Sequence, residues 1–280
     1  MARWVRIICS LLFCCCYFGC IQDDTLVRVK PDGSGVIEET VLFSNVLFSS
    51  LETVSKGLAE NQEDAKKGEE TKKDALQQMM EDAKTRAAQY GPTAKFVSVA
   101  PAKVAGLTGY KAVYSFKDIN TLQVNQNPGE KTGKPQDNGE KSEKSKEPIS
   151  FNLKKGPVST LTITMPKNKK ENSAVKDEGK TDKGKDDPQQ AEIAKTFFKD
   201  MRVRIAVQIE GAIETTNATY RDGSKITLVD LDFNKILEKP AVFEKVSGAQ
   251  PQTIEEVKAL VQGIEGLKME LNDPVVVKFR

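Results

Sequence analysis

The sequence predicts an α+β fold: a mainly antiparallel sheet of hairpins packed against one or two amphipathic helices, with long disordered polar insertions. Three observations predict it. The stretch from Met201 to Leu237 alternates apolar and polar residues, with Val203, Ile205, Val207 and Ile209 set against Arg202, Arg204 and Gln208. A period of two buries one face of a strand and leaves the other wet. Apolar residues at Leu76, Met79, Met80, Ala83, Ala87 and Tyr90 follow a helical period. Between such segments lie runs almost devoid of apolar residues, notably about 123–148 and 167–190. Those runs bury too little surface to offset an ordering entropy of about 1–2 kcal/mol per residue, which predicts disorder.

The first 19 residues read as a targeting segment. Arg3 and Arg6 form a positive start without an acid, and Ile7 to Phe18 is an apolar run of signal-peptide length. It ends in Tyr17-Phe18-Gly19-Cys20, followed by polar Gln22, Asp23 and Asp24. A small residue before a cysteine at this place is the pattern of a lipoprotein signal, with Cys20 lipidated (palmitate and related chains) and becoming the new N-terminus. Tyr17 stands where an aliphatic residue is usual. Two other readings stay open, an ordinary cleaved signal giving a secreted protein and an uncleaved anchor. With two or three acyl chains on Cys20, at about 0.8 kcal/mol per buried methylene, the membrane attachment is effectively permanent. Ile21 after the cysteine is not an inner-membrane retention aspartate, so outer-membrane sorting is expected if the cell is Gram-negative.

Composition narrows the chemistry of the remaining chain. All five cysteines fall at or before Cys20, and the 280 residues contain no histidine. Beyond Cys20 there is therefore no imidazole base, thiolate nucleophile or soft metal site, and no disulfide framework. Setting aside Arg3 and Arg6 from the 42 basic residues leaves 40, equal to the 40 acids. No segment is basic without matching acids, which argues against nucleic acid as a partner.

From Cys20 onward, Thr25 to Lys30 alternates as a strand, and Pro31-Asp32-Gly33-Ser34-Gly35 is a turn into a second strand, Val36 to Phe43. Asp222-Gly223-Ser224 repeats the turn chemistry without the further acids of a calcium loop. Leu47, Leu51, Val54 and Leu58 mark one helical face. The helix through Leu76 ends at Gly91-Pro92. Phe96 to Val104 is a strand interrupted by Pro101, and the turn at Gly106 leads to Tyr110, Ala112, Tyr114 and Phe116 on one sheet face. Ile149–Leu153 and Val158–Met165 form a hairpin, and Pro188 to Lys199 a helix. Met201 to Val229 is expected to hold three antiparallel strands. Asp230 caps a short helix to Leu237, and Thr253 with Glu256 makes the capping box of a helix bearing Ile254, Val257, Val261, Ile264 and Leu267. Val275 to Phe279 closes the chain as a strand. The expected domains are a lipoprotein signal peptide at 1–19, one α+β domain at 20–240, and a helix-strand extension at 241–280.

The hairpin Val29 to Gly35 soon after Cys20, the element Ile209-Glu210-Gly211-Ala212-Ile213-Glu214-Thr215-Thr216-Asn217, and the Asp222-Gly223 turn together resemble the LppM-like bacterial lipoproteins. The resemblance covers roughly 24–237. Glu210 stands where that family usually has proline, and the long charged runs and the C-terminal tail lie outside its pattern. It implies a lipid-anchored extracytoplasmic domain offering an apolar cavity to lipid, and it carries no catalytic residue onto this chain.

The sequence thus predicts a membrane-attached envelope protein with Cys20 as its lipidation site and with no catalytic residue, cofactor or metal. Its expected partners are the membrane, an envelope lipid or other apolar ligand, and, as the alternative, another envelope protein. An enzyme would need carboxylates such as Asp118, Asp230 and Asp232, and no spacing singles out a pair.

Overall fold

The computed structural model describes residues 21–45, 75–125, 148–166, 198–242 and 259–280. Strands β1 (Ile21–Val29) and β2 (Gly35–Ser44) form the first hairpin. Helix α1 (Ala75–Thr85) continues as a 3-10 turn, Arg86–Tyr90. Then come β3 (Lys95–Val104), β4 (Leu107–Phe116), a 3-10 turn Ile119–Thr121, β5 (Gln123–Val124), β6 (Ile149–Lys154) and β7 (Ser159–Thr164). The C-terminal part holds β8 (Arg202–Ile209), β9 (Ile213–Thr216), β10 (Arg221–Asp222), β11 (Lys225–Asp232), α2 (Phe233–Leu237), β12 (Leu267–Met269) and β13 (Val275–Phe279).

The strands form two sheets. The larger runs β10-β11-β8-β1-β2-β4-β3, with β12 also on β11, and the smaller runs β5-β6-β7-β13-β9. Every pairing is antiparallel except β1 with β8, which is parallel. This bears out the α+β class. The inward residues of both sheets, among them Val27, Ile37, Tyr114, Val207, Phe151, Ile163 and Val277, join one core that also takes in Ala83 and Tyr90 from the helical segment. Among the described residues no helix is long and apolar enough to cross a membrane.

Local chemistry explains the turns. Gly33 sits at φ +81, which a side chain resists, while Asp32 accepts hydrogen bonds from the Ser34 amide at 2.9 Å and hydroxyl at 2.7 Å. Pro101 does not interrupt β3. The strand lies at the sheet edge, where a missing amide donor costs no ladder bond.

Several expectations need correction. β1 begins at Ile21, not Thr25, because Asp23 and Thr25 occupy inward positions and disguise the alternation. The Met201–Val229 strands are not three neighbours in one sheet: β8 pairs with β11, whereas β9 leaves for the smaller sheet and pairs with β13. Asp230 does not cap α2. It lies within β11, and Asp232 holds the cap position without a side-chain hydrogen bond. Leu267, assigned to a helical stripe, lies in β12, with Gly263 (φ +77) and Gly266 (φ +87) between it and the preceding helical residues. Gln123 and Val124, expected in an insertion, form β5 on β6. Residues 267–279, expected as part of an extension, add β12 to the larger sheet and an interior strand, β13, to the smaller one. The helix over Leu47 to Leu58, most of that over 188–199, the capping box at Thr253, most of both insertions and Cys20 lie outside the described residues.

Candidate functional site

Beneath α1 the inward face of the larger sheet turns polar. Asp23 and Thr25 of β1 and Glu39 of β2 point into the core, as does Arg86 from the first position of the 3-10 turn. Glu39 is 1% exposed and Arg86 7%. The register sets Glu39 between Thr25 on one side and Ala112 on the other. A small residue at 112 leaves room above the sheet for the guanidinium. Tyr110 and Tyr114, two positions either side of Ala112, stand on the same face and are buried.

Arg86 Nη1 lies 3.5 Å from Glu39 Oε1. Arg86 also donates through Nη2 to the Tyr110 hydroxyl, and its Cζ is 5.4 Å from the Tyr110 ring centroid. The Tyr114 hydroxyl donates to the Ala83 carbonyl at 2.8 Å and lies 3.2 Å from Glu39 Oε2. Tyr90 packs on Tyr114 with ring centroids 5.0 Å apart, and Phe96 meets Tyr114 edge-on at 6.2 Å. One carboxylate, one guanidinium and three phenols therefore join helix to sheet.

The electrostatics follow from this enclosure. Burial, and then the Glu39 carboxylate, push the phenols of Tyr90, Tyr110 and Tyr114 well above the ordinary tyrosine range. They remain protonated, the Tyr114 hydroxyl donating and the Tyr110 hydroxyl accepting from Arg86. Burial disfavours the Arg86 cation, but Glu39 and then Tyr110 more than offset that, and its proton is held more tightly than usual. The contacts of this cluster join the helical segment to the larger sheet.

The carboxylates that the sequence put forward do not meet here. Asp118 accepts from the Asn120 amide at 3.0 Å and from its side chain at 2.7 Å, starting the 3-10 turn at Ile119. Asp230 takes two hydrogen bonds of 3.0 Å from Arg202, and Asp232 lies 3.7 Å from the same guanidinium, on the outer face of the larger sheet. Alongside run Arg204 with Asp24, and Arg28 and Lys111 with Glu38. Opposite charges paired across strands stabilise this half-exposed face. Among the described residues no group of three His, Cys, Asp or Glu is gathered as a metal ion would require.

A second buried carboxylate does structural work. Glu270, 2% exposed, accepts from the Thr219 amide at 2.6 Å and hydroxyl at 3.0 Å, and from the amides of Leu271 at 3.0 Å and Asn272 at 2.9 Å. Asn217 takes the Val276 amide at 2.7 Å and donates to the Pro274 carbonyl at 3.0 Å. The asparagine of the 209–217 element thus fastens β9 to the approach of β13.

No family model matches the chain, and no curated protein matches it. Among solved structures it is similar to the NMR structure of the folded domain of LppM from Mycobacterium tuberculosis. The identity is 9%, the alignment covers 94% of this chain and 90% of that one, and the TM-score is 0.31. That is a distant structural relationship.

Sequence reasoning missed the Glu39–Arg86 cluster, though the signal was present. Arg86 lies eleven residues after Ala75 and three after Ala83, on the same helical face. Glu39 falls at an inward step between Ile37 and Val41. A charge at an apolar beat of either period points to a buried polar contact.

Proposed function

We propose that this protein is a lipid-anchored component of a bacterial cell envelope, held on the extracytoplasmic side through Cys20, whose folded body works by binding and not by catalysis. The observation that carries the reading is the split between leader and body. Every cysteine falls within the first 20 residues, and Ile21, directly after Cys20, is the first residue of strand β1. Supporting it, the buried charged cluster contains no histidine or thiol, and its tyrosines are held protonated. The ligand we propose is an envelope lipid or similar apolar molecule, met by α1 where Leu76, Met79 and Met80 are only partly buried against the core. Methionine-bearing surfaces adapt to apolar partners of varied shape.

Two measurements test this. In membranes of the producing cell the native chain stays with the lipid fraction, and Cys20→Ala moves it to the aqueous fraction; equal partition of the two overturns the anchor. Native mass spectrometry of delipidated protein mixed with envelope lipid extract shows a retained lipid. Absence of any adduct, with an unchanged melting temperature, overturns the binding role.

A further inference from the structure

The tether, if it is Cys20, has no slack. One peptide bond, about 3.8 Å between Cα atoms, separates Cys20 from Ile21. Ile21 is buried and pairs with Phe43, while Gln22 already pairs with Arg202 of β8. β1 is an interior strand held on both sides along its length, so it does not peel away to lengthen the tether. The anchor therefore fixes which end of the larger sheet faces the lipid.

The register says what else lies at that end. Ile21 pairs with Phe43, Phe43 with Thr108, and Thr108 with Lys103, a single row across β1, β2, β4 and β3. At about 4.8 Å per strand, Lys103 is roughly 14 Å along the sheet from Ile21. Immediately beyond that row is the β3–β4 turn, Val104-Ala105-Gly106-Leu107. Val104 is 56% exposed, and it and Val97 (54%) are the two large hydrophobic residues exposed among the described ones. Gly106, at φ +83, has open space where a side chain would stand, and its carbonyl accepts from the Asn45 amide at 3.1 Å. Lys103 beside it is exposed.

We infer that this end of the larger sheet rests on the bilayer, with Val104 entering the interfacial layer and Lys103 reaching lipid phosphates. The inference rests on the anchoring reading above and adds an orientation to it. A lysine beside an exposed aliphatic tip suits a surface with phosphate outside and hydrocarbon beneath. Val97 supplies an internal control. It sits on the same strand with similar exposure, but seven residues back, about 23 Å farther from the anchor end at 3.3 Å per residue.

The test uses tryptophan. The sole native Trp is Trp4, which cleavage before Cys20 would remove, so the processed chain carries no tryptophan. Val104→Trp and Val97→Trp are each placed in the full processed chain and carried into phosphatidylethanolamine–phosphatidylglycerol vesicles with brominated acyl chains. Far-UV circular dichroism and vesicle flotation accompany each. The expected result is a blue-shifted emission and strong loss of intensity for Val104→Trp, with Val97→Trp unchanged. If the protein floats with the vesicles and the two report alike, the orientation is wrong. If it does not float, the anchoring reading has failed; the same variants coupled through Cys20 to a maleimide lipid then decide the orientation by the same comparison.

Discussion

Removing the guanidinium beneath α1 is the most informative perturbation of the fold. Arg86→Met keeps a long side chain in place but leaves Glu39, 1% exposed, without the cation 3.5 Å away. Stripping one partner from a buried ion pair costs about 3–5 kcal/mol, because the remaining charge keeps its desolvation penalty. The variant also removes the Tyr110 hydrogen bond and the stacking over its ring. Against a total stability of about 5–15 kcal/mol for a domain, that is a large fraction. Glu39→Leu alone leaves the opposite orphan and costs a comparable amount. The double variant Glu39→Leu with Arg86→Met removes both charges, and apolar replacements of similar volume in such pairs are often neutral or stabilising. The cycle is read by urea unfolding followed by far-UV circular dichroism. The expected outcome is a double variant far more stable than the sum of the singles. Additive losses, or an Arg86→Met variant within about 1 kcal/mol of the parent, would refute the idea that this pair holds helix to sheet.

Other outcomes follow from single sites. A Cβ added at Gly109 would stand 1.9 Å from the Val41 carbonyl oxygen, so Gly109→Ala forces β2 and β4 apart and costs about 1–3 kcal/mol in thermal or urea unfolding. Glu270→Ala leaves the Thr219, Leu271 and Asn272 amides without their shared acceptor; a loss of about 1–3 kcal/mol is expected, with faster hydrogen exchange confined first to 217–219 and 270–276. Glu38 is held below the ordinary glutamate range, chiefly by the Lys111 hydrogen bond, opposed by burial and aided by Arg28. Its contribution is therefore present above that range and lost as pH falls through the folded value. Lys111→Met should accordingly flatten the decline in melting temperature between about pH 5 and 3. Val97→Ser and Val104→Ser, at exposed positions, leave stability within about 0.5 kcal/mol of the parent.

Features legible in the sequence were those written in neighbouring residues. The Pro31–Gly35 turn, the Leu76–Tyr90 stripe, the hairpin around Lys154–Pro157 and the closing strand Val275–Phe279 each carry a local period or turn signal, and each stands where it was expected. Long-range choices left no such mark. Nothing near Arg204 announces a parallel partner 180 residues earlier, yet Asp24 lies opposite it and closes an ion pair. Gly211 lets the chain swing from β8 to the smaller sheet because its Cα approaches the Arg280 carbonyl too closely for a side chain, and that neighbour is also remote in sequence. The candidate site was hidden by a rule that usually works. Period analysis counts apolar residues, and Asp23, Thr25, Glu39 and Arg86 are polar groups buried at apolar positions.

Cys20 is the proposed point of attachment. The direct measurement is mass spectrometry of the N-terminal peptide released from the native protein in its own membranes. The expected result is a peptide beginning at residue 20 with acyl chains on the cysteine. A peptide beginning at Met1, or a chain with Cys20 as an unmodified thiol, would contradict it.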